Sequence, residues 1–502
     1  MSAHGYIFFS RGAEGVESLA LHTDKYQLNM MYAHWKNGTH LKKCVFDLYF
    51  RELPFENGFA VVAGLEQAIL YLSNLRFTED DIRFLREEEE QYDEAFLRAL
   101  KEWRFTSDVY AMPEGTLAFP NEPLMRVEGP IFEVQLIETA LLNMINYQTL
   151  IATKAARIRH IAPDDILLEF GSRRAQEPEA AIWGTRAAYL AGFDATSNVK
   201  AGQLFGIPCK GTHSHAWVQH FDDELTSFRA FAEALPDQTI LLVDTYNTIK
   251  SGLPHAIQIG KELKKRGKTL QGIRIDSGDL AYLSKVARKM LDEAGLTETK
   301  IFASSDLDEH TILHLKSQGA AIDAWGVGTR LITAYDQPAL GAVYKMVAIE
   351  DGEEWRPTIK ISSNPQKVTT PGRKTVYRVI DRKTQKAHAD LIACVEETID
   401  TEKPLVLFHP VHTYRKKIVE NYYLEELLQP IFRGGKLVYK RPNLEEVREY
   451  HRKQLGQFWE EYLRNLNPQE YPVDLTEKVW QTKQDMLYTI AEKIRKEEKN
   501  LS

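Results

Sequence analysis

The sequence has few of the features that mark secreted, membrane or nucleic-acid-binding proteins. Three cysteines occur among 502 residues and none forms a CxxC pair, so neither a disulfide framework nor a cysteine zinc site is indicated. No apolar run approaches the ~20 residues that span a bilayer, and the N-terminus lacks the basic start and apolar core of a signal peptide. A net charge of −8 argues against general binding to nucleic acid or membranes. We therefore expect a cytoplasmic protein with no nucleic-acid and no membrane partner.

The middle of the chain, residues 165–330, alternates short apolar runs with segments of helical length. Buried parallel strands read as continuous apolar runs, and their alternation with helices predicts βαβ units. Each run is followed by a cluster of small and charged residues; these clusters are residues 171–174, 211–215, 244–247, 276–279, 304–306 and 327–329. A (β/α) barrel or an open α/β sheet places its active site at the carboxyl ends of its strands. The sequence therefore predicts an enzyme of the α/β class.

Two flanks with strand-like segments surround this region, and the length suggests about three domains at roughly 150 residues each. The simplest topology packs the strands that follow Ala339 against those of the N-terminal flank. The predicted division is residues 1–150 as the N-terminal part of a discontinuous α/β domain, 151–340 as a (β/α) barrel catalytic domain, 341–440 as the returning part of the α/β domain, and 441–502 as C-terminal helices.

The cluster at residues 211–215 contains two histidines, His213 and His215. Spaced two apart, they could form a metal-binding pair, as in barrel metallohydrolases, or include a nucleophilic or acid–base histidine. Both could equally be buried or helix-capping residues. No further set of His, Asp and Glu ligands with clear spacing follows, which weakens the metal interpretation.

Other strand ends carry groups suited to anions, sugars and cations. Arg173 follows a strand-like run, where a guanidinium can bind phosphate or carboxylate, or simply lie on the surface. Arg274 and Asp276 are two apart and share a strand face, so one can meet an anion while the other accepts sugar hydroxyls, unless they form a structural ion pair. The carboxylates of Asp244 and Asp306 suit Mg²⁺, or cap the helices that follow them.

Two further segments could contact phosphate. Residues 326–329 (GVGT) end an apolar run and could hold a phosphate through backbone N–H groups. Downstream, residues 357–378 are basic, and their proline and glycine content predicts a mobile loop. Its basic side chains are Lys360, Lys367, Lys374 and Arg378. Such a loop is either solvated or in contact with phosphate.

Six motifs follow one another along the chain. They are TDKYQL (23–28), EFGSRR (169–174), GFDATSN (192–198), GTHSH (211–215), RIDSGD (274–279) and GVGT (326–329). Together they resemble the nicotinate phosphoribosyltransferase family, and the resemblance covers nearly the whole chain. It implies an irregular (β/α) barrel beside an α/β domain built from both chain ends, and a homodimer whose active sites lie at the subunit interface.

The reaction implied by the resemblance joins nicotinate to phosphoribosyl pyrophosphate, with Mg²⁺ required and ATP consumed as a cosubstrate. The products are nicotinate mononucleotide and pyrophosphate, and the ATP-derived phosphoryl group passes through a phosphohistidine. In the GTxxH motif that histidine is His215 rather than His213. Asp244 and Asp194 would orient His215 or the ring, and Asp276 would hold ribose hydroxyls. No protein ligand is implied for Mg²⁺, which would be bound through substrate phosphates.

The resemblance also assigns substrate contacts. Tyr26 would reach across the dimer and stack on the pyridine ring, opposite Phe170, while Arg274 would meet the carboxylate. The remaining contacts, mostly to ribose or phosphate, would come from Arg173, Ser305, Gly328 and Thr329, and from the other subunit's Arg51, Lys360 and Lys367.

Rival interpretations differ in substrate or in class. Nicotinamide phosphoribosyltransferase shares the barrel and most motifs, but the GFDATSN and FGSRRAQ stretches favour nicotinate. Quinolinate phosphoribosyltransferase would need more basic residues for a second carboxylate. A metal-dependent barrel hydrolase would use His213 and His215 as ligands. A non-catalytic binding scaffold would show gaps among the motif residues, and none is found.

Overall fold

The computed structural model describes residues 18–88, 91–364, 367–412 and 414–501. The chain divides into two compact units, one comprising Met1–Leu150 with Ala339–Ser502 and the other Ile151–Pro338. Within the described residues, no helix is both long enough and apolar enough to cross a membrane. Both units combine helices with sheets, which confirms the predicted α/β class.

The N-terminal segment begins with a helix and then alternates short strands with helices. Its elements are α1 (Lys25–Lys36), β1 (Lys43–Tyr49), β2 (Ala60–Val61), α2 (Leu65–Asn74), α3 (Glu79–Arg86), α4 (Glu94–Glu102), β3 (Asp108–Ala111), β4 (Leu117–Ala118), β5 (Met125–Pro130), α5 (Ile131–Leu136) and α6 (Glu138–Ile161). Local signals fix several boundaries: α3 starts at a capping box between Thr78 and Asp81, and α1 ends before Asn37 and Gly38.

The middle segment alternates parallel strands with helices, as its apolar runs predict. Its elements are β6 (Ile166–Glu169), α7 (Pro178–Leu190), β7 (Ala195–Thr196), α8 (Val199–Phe205), α9 (His215–Gln219), α10 (Glu224–Ala234), β8 (Ile240–Leu242), a π-helical turn (Thr248–Gly252), α11 (Leu253–Lys265), β9 (Gly272–Ile275), α12 (Leu280–Glu293), β10 (Lys300–Ser304), α13 (Glu309–Ser317), β11 (Ala324–Val327) and α14 (Thr329–Ile332). The side chains of Asn198, Asp279 and Asp308 cap the helices that follow them.

These strands form one parallel sheet in the order β7-β6-β11-β10-β9-β8. The apolar run that precedes the 211–215 cluster, residues 206–210, is not a strand of this sheet, so that part of the prediction is wrong. It forms only an isolated bridge between Thr196 and Cys209. Pro208 has no N–H to donate to a ladder, and Gly206 adopts a left-handed φ of 72°. In the described part of the chain the barrel is therefore irregular, with no ladder joining β8 to β7.

The C-terminal segment returns to antiparallel strands. Its elements are β12 (Val343–Asp351), β13 (Glu354–Pro357), β14 (Lys374–Asp381), β15 (Ala387–Cys394), β16 (Leu405–Phe408), β17 (Lys416–Val419), β18 (Tyr422–Glu426), β19 (Gln429–Arg433), β20 (Lys436–Leu437), α15 (Leu444–Gly456), α16 (Glu460–Leu463), β21 (Val473–Leu475) and α17 (Glu477–Leu501). Within residues 441–502, which were predicted to be helical, Val473–Leu475 form the strand β21 instead.

The expected packing of returning strands on N-terminal strands holds for only some of them. One sheet has the order β13-β12-β1-β5-β3-β19-β20, whereas the other, β17-β16-β21-β15-β14-β18, comes entirely from the C-terminal segment. The second sheet has its own apolar core, which includes Val379, Leu391 and Leu407. These strands hydrogen-bond to one another and share this core, so the sheet includes no strand from the N-terminal segment.

Two basic residues predicted to lie in the mobile loop are buried in β14 instead. Arg378 is fully buried and donates two hydrogen bonds, of 2.9 and 2.7 Å, to the Asp390 carboxylate. Lys374 is 1% exposed and pairs with Asp47 at 2.8 Å. Both cations are buried because a carboxylate partner meets each of them.

Candidate active site

A cavity of about 260 Å³ is lined by side chains of the parallel strands. Alternate residues of a strand point to the same side, and the lining follows this pattern along β6 with Ile166, Leu168 and Phe170. Ile240, Phe302 and Gly326 continue the apolar wall. The polar and charged side chains of the lining are Lys210, Thr212, Asp237, Gln238, Gln271, Arg274 and Lys300. Small-molecule sites span roughly 300–1,000 Å³ and combine apolar walls with few polar groups. The cavity thus combines an apolar wall with cationic groups, which suits a small anionic ligand.

Arg274 is held in place by three polar side chains. Its Nε donates to Ser304 Oγ at 2.8 Å, its Nη1 to Thr212 Oγ1 at 3.2 Å, and its Nη2 to Asp276 Oδ1 at 2.9 Å. The guanidinium carbon lies 5.6 Å from the centre of the Phe170 ring. The ion pair between Arg274 and Asp276, which was the structural alternative to ligand contacts, therefore forms, and it forms at the edge of a cavity rather than within a packed core.

The position of Phe170 depends on Gly326, a glycine of the neighbouring strand β11. A Cβ added at Gly326 would lie 2.6 Å from Phe170 Cδ2, which is closer than real Cβ contacts allow. The phenyl ring therefore occupies the space that a side chain on β11 would fill. This gives the GVGT motif a steric role in shaping the cavity, beyond the predicted phosphate contact.

His215 and Asp244 form the second part of the site. Asp244 Oδ1 lies 3.2 Å from His215 Nε2, and Asp244 Oδ2 accepts from the backbone N–H of Asp276 at 3.0 Å and from Ser277 Oγ at 2.6 Å. The Asp244 side chain is 2% exposed and that of His215 is 41% exposed. An ionised carboxylate only accepts, so this contact requires a proton on His215 Nε2. In the tautomer with that single ring proton, the lone pair lies on Nδ1.

His213 has a different environment. Its Nε2 accepts the Leu242 backbone N–H at 3.1 Å, and its ring packs on Phe228 and Phe231. Burial lowers the pKa of His213 to about 4, so the ring is neutral near pH 7 and its lone pair is already engaged. The HxH metal pair is therefore wrong for this chain: one of the two histidines is a core residue.

Three residues that shape the site were given no role on the basis of the sequence. Thr212 and Ser304 hold Arg274, and Glu169 is 1% exposed at the carboxyl end of β6. The Glu169 carboxylate accepts from Gly171 N, Thr185 Oγ1 and Thr196 Oγ1, although burial raises its pKa. A charged residue that ends an apolar run was the available signal for Glu169.

The predicted phosphate contacts at the other strand ends lie in exposed or irregular backbone. Arg173 is exposed in the short helical turn after β6. Ser305 and Asp306 follow β10 with φ values of 121° and 37°, which are uncommon for residues other than glycine. Gly328 precedes α14, which Thr329 begins. Strained backbone of this kind clusters at ligand sites.

The remaining predicted residues do not join this cluster. Asp194 accepts from Arg159 Nη2 at 2.6 Å and from the Leu167 backbone N–H at 2.9 Å, so Asp244, and not Asp194, meets His215. The others belong to the unit that contains both chain ends. Among them, Tyr26 is 51% exposed on α1, Lys360 and Lys367 are exposed, and the buried Arg51 Nε has no hydrogen-bond partner among the described residues.

The carboxylates of the site do not form a ready-made metal centre. Both oxygens of Asp244 are engaged, and Asp276 Oδ1 accepts from Arg274 and Ser304. Across the residues that the structure describes, no group of three or more His, Cys, Asp or Glu side chains is placed to bind a metal. A magnesium ion that keeps waters and binds substrate phosphates needs at most one or two carboxylates, and Asp276 fits that requirement.

Comparison with known proteins assigns this arrangement to a family. Three family models match the chain: the nicotinate phosphoribosyltransferase N-terminal domain over residues 21–146, the nicotinate phosphoribosyltransferase family over 166–390, and the C-terminal domain over 373–483. Nicotinate phosphoribosyltransferase of Bacillus subtilis is 56% identical over 481 residues, covering 96% of this chain and 98% of the relative. The chain belongs to the nicotinate phosphoribosyltransferase family.

Solved structures agree with this assignment. Human nicotinic acid phosphoribosyltransferase superposes with a TM-score of 0.82 at 30% identity, covering 92% of this chain and 99% of that one. Nicotinate-nucleotide pyrophosphorylase from Pyrococcus furiosus gives a TM-score of 0.68 at 26% identity, covering 89% and 99%. Membership of the nicotinate phosphoribosyltransferase family confirms the predicted enzyme class and overturns the hydrolase alternative.

Proposed function

We propose that this protein joins nicotinate to phosphoribosyl pyrophosphate, forming nicotinate mononucleotide and pyrophosphate while ATP is hydrolysed to ADP and phosphate. This is the first step of NAD salvage from nicotinate. The observation that carries the proposal is a guanidinium, Arg274, beside an aromatic ring, Phe170, in a strand-lined cavity of a chain from this family. An aromatic carboxylate needs both a cation and a flat apolar partner.

Nicotinate is proposed to bind with its carboxylate on Arg274 and its ring on Phe170. The guanidinium has five N–H groups, and the contacts to Ser304, Thr212 and Asp276 account for one on each nitrogen. One N–H therefore stays available on each of the two terminal nitrogens. These two N–H groups are what a carboxylate accepts in a two-point contact. The three side chains also fix the guanidinium plane before the ligand arrives.

Phosphoribosyl pyrophosphate is proposed to lie across the carboxyl ends of the strands. Asp276 would accept the ribose hydroxyls, Gly328 and Thr329 would hold the 5′-phosphate, and Arg173 and Ser305 would contact phosphate. The buried hydroxyls of Ser172 and Thr245, which follow β6 and β8, have no hydrogen-bond partner among the described residues. Unsatisfied buried groups at strand ends support a polar ligand there.

Glycosyl transfer demands little acid–base chemistry from the protein. The pyridine nitrogen of nicotinate carries the lone pair that attacks C1′, and the C1′–oxygen bond to pyrophosphate breaks with its electrons going to pyrophosphate. No side chain has to remove a proton. Mg²⁺, when bound to the substrate phosphates, neutralises charge on the leaving group. The protein contributes orientation and a preorganised electrostatic environment.

The ATP-coupled step is assigned to His215. With Nε2–H donating to Asp244, the Nδ1 lone pair is free to attack the γ-phosphorus of ATP, forming an N–P bond as ADP leaves. The 41% exposure of His215 leaves room for the nucleotide, whereas His213 has neither exposure nor a free lone pair. Water then hydrolyses the phosphohistidine and releases phosphate.

A homodimer with shared sites is proposed to complete the pocket. Tyr26 is 51% exposed. It would cover the second face of the pyridine ring of the nicotinate bound in the partner subunit. Arg51, Lys360 and Lys367 would contact phosphates across the same interface. Mixing Tyr26→Ala with Arg274→Gln subunits should regenerate one intact site per heterodimer, and mixtures with verified subunit exchange that stay inactive would disprove sharing.

Parallel assays test the substrate. Mononucleotide formation is measured with nicotinate, nicotinamide and quinolinate, each with and without ATP and Mg²⁺. We expect rapid synthesis from nicotinate alone, stimulated by ATP. A preference for nicotinamide or quinolinate would overturn the substrate assignment.

Phosphoryl transfer is tested with γ-labelled ATP. The protein should acquire an acid-labile, base-stable label that is absent in His215→Ala and present in His213→Ala, which serves as the matched control. His215→Ala should also lose stimulation by ATP and retain slow synthesis, because pyridine attack needs no histidine. Label that survives in His215→Ala would refute the assignment.

A further inference from the structure

A second cavity, of about 50 Å³, lies in the unit that contains both chain ends. It is bounded by β1, by the segment before β14, by β14 itself and by α17. Its polar lining consists of Asp47, Tyr49, Asn121, Thr370, Lys374 and Lys483. None of these residues belongs to the proposed transfer site.

The charges around this cavity do not balance. Lys374 pairs with Asp47 Oδ2 at 2.8 Å. Lys483 is only 5% exposed, and it has no hydrogen bond or ion pair with any of the described residues. A buried ammonium without a counterion is costly, so natural proteins rarely keep one unless something pairs with it.

The cavity also presents an unused acceptor. Asp47 Oδ1 is buried and has no hydrogen-bond partner among the described residues. The lining therefore offers ammonium donors on Lys374 and Lys483, a hydroxyl on Thr370, an amide on Asn121, and one carboxylate oxygen that needs a donor. Burial raises the pKa of Asp47, and the ion pair with Lys374 opposes that shift. Beside the ionised Asp47, a ligand that fits carries negative charge and one acidic proton.

The volume limits the size of that ligand. One water needs roughly 10–15 Å³ of such space, so about 50 Å³ holds three or four water-sized groups. A single tetrahedral oxyanion is of that size.

We propose that this cavity binds one inorganic phosphate ion in a protonated form. Its unprotonated oxygens accept from Lys483, Lys374 and the neutral donors, while its hydroxyl donates to Asp47 Oδ1. Sulfate has the same shape and carries no proton near pH 7, so it leaves Asp47 Oδ1 unpaired and repels it. The site should therefore select phosphate over sulfate. Burial lowers the pKa of Lys483 to about 8, as expected for an ammonium whose counterion is missing.

The site is tested by counting bound phosphate on the full-length chain. Equilibrium dialysis with labelled inorganic phosphate should show one more site per chain in the unmodified protein than in Lys483→Met. Lys478→Met, which removes an exposed lysine from the same helix, should match the unmodified protein. The additional site should persist in a tenfold excess of sulfate. Equal phosphate counts in Lys483→Met and the unmodified protein would overturn the proposal, and equal displacement by sulfate would overturn the protonated form.

A second measurement needs no variant. Crystals of the unmodified protein soaked in phosphate should show tetrahedral density with an oxygen about 2.7–2.9 Å from Lys483 Nζ, the range of charge-assisted contacts. Density for water alone at saturating phosphate would overturn the proposal. Both measurements count binding rather than catalysis, so their outcome is independent of the proposed transferase reaction.

Discussion

Replacing Arg274 by glutamine tests the nicotinate site most directly. The two-point contact proposed between the guanidinium and the carboxylate is charge-assisted and contributes about 1.5–3 kcal/mol. Its loss should lower kcat/KM for nicotinate by roughly 10- to 100-fold. Nicotinamide is neutral and nearly the same shape, so its kcat/KM should change far less and the preference for nicotinate should collapse.

Arg274→Gln should have a smaller effect on the KM for the second substrate, phosphoribosyl pyrophosphate. Arg274 pairs with Asp276, whose side chain is 29% exposed, and partly exposed pairs contribute roughly 0–1 kcal/mol. The KM for phosphoribosyl pyrophosphate should therefore rise only a few-fold, through the released Asp276. Initial-rate kinetics with each substrate varied in turn provide both values. Equal losses for nicotinate, nicotinamide and phosphoribosyl pyrophosphate would show that Arg274 only supports the fold of the site.

Three further outcomes follow from contacts described above. Asp244→Asn should reduce histidine labelling by γ-labelled ATP about tenfold or more, and more strongly than it reduces synthesis without ATP; equal reductions would contradict an orienting role. Gly326→Ala should displace Phe170 and raise the KM for nicotinate, and urea titrations should show that it destabilises the fold by about 1–3 kcal/mol. The control Gly456→Ala places no atom within 4 Å of the new Cβ, so it should leave both the KM and the free energy of unfolding nearly unchanged. In phosphate-free buffer, the free energy of unfolding of the unmodified protein, measured relative to that of Lys483→Met, should rise by up to roughly 3 kcal/mol between pH 8 and pH 10.5. The reason is that the unfolded state keeps the lysine proton over this range, whereas the folded state has lost it. A difference that does not change with pH would refute the lowered pKa of Lys483.

The parallel sheet was predictable because each of its strands is a short apolar run that can be recognised from the local sequence. Runs such as residues 240–242 and 324–327 are apolar on both faces, and polar caps such as Asp279 start the following helices. The pairing of Arg274 with Asp276 was also accessible, since residues two apart on a strand share a face. Local spacing carried these conclusions.

Contacts between distant segments were beyond the reach of local patterns. Asp244 meets His215 across 29 residues and the Asp276 backbone across 32. Lys374 looked like part of a solvated loop because its partner Asp47 lies near the other end of the chain. No spacing rule reveals such partners, so burial of these charges became visible only in the fold.

The single carboxylate of Asp244 has a thermodynamic consequence. One of its oxygens faces the histidine and the other holds the backbone and hydroxyl of residues 276 and 277. Under the proposed reaction, a phosphoryl group on His215 and a ribose on Asp276 would therefore each alter the hydrogen bonds of the same side chain. Thermodynamic linkage makes the two effects equal. If phosphorylation of His215 raises the affinity for phosphoribosyl pyrophosphate by some factor, bound phosphoribosyl pyrophosphate must shift the phosphorylation equilibrium toward the phosphorylated enzyme by the same factor.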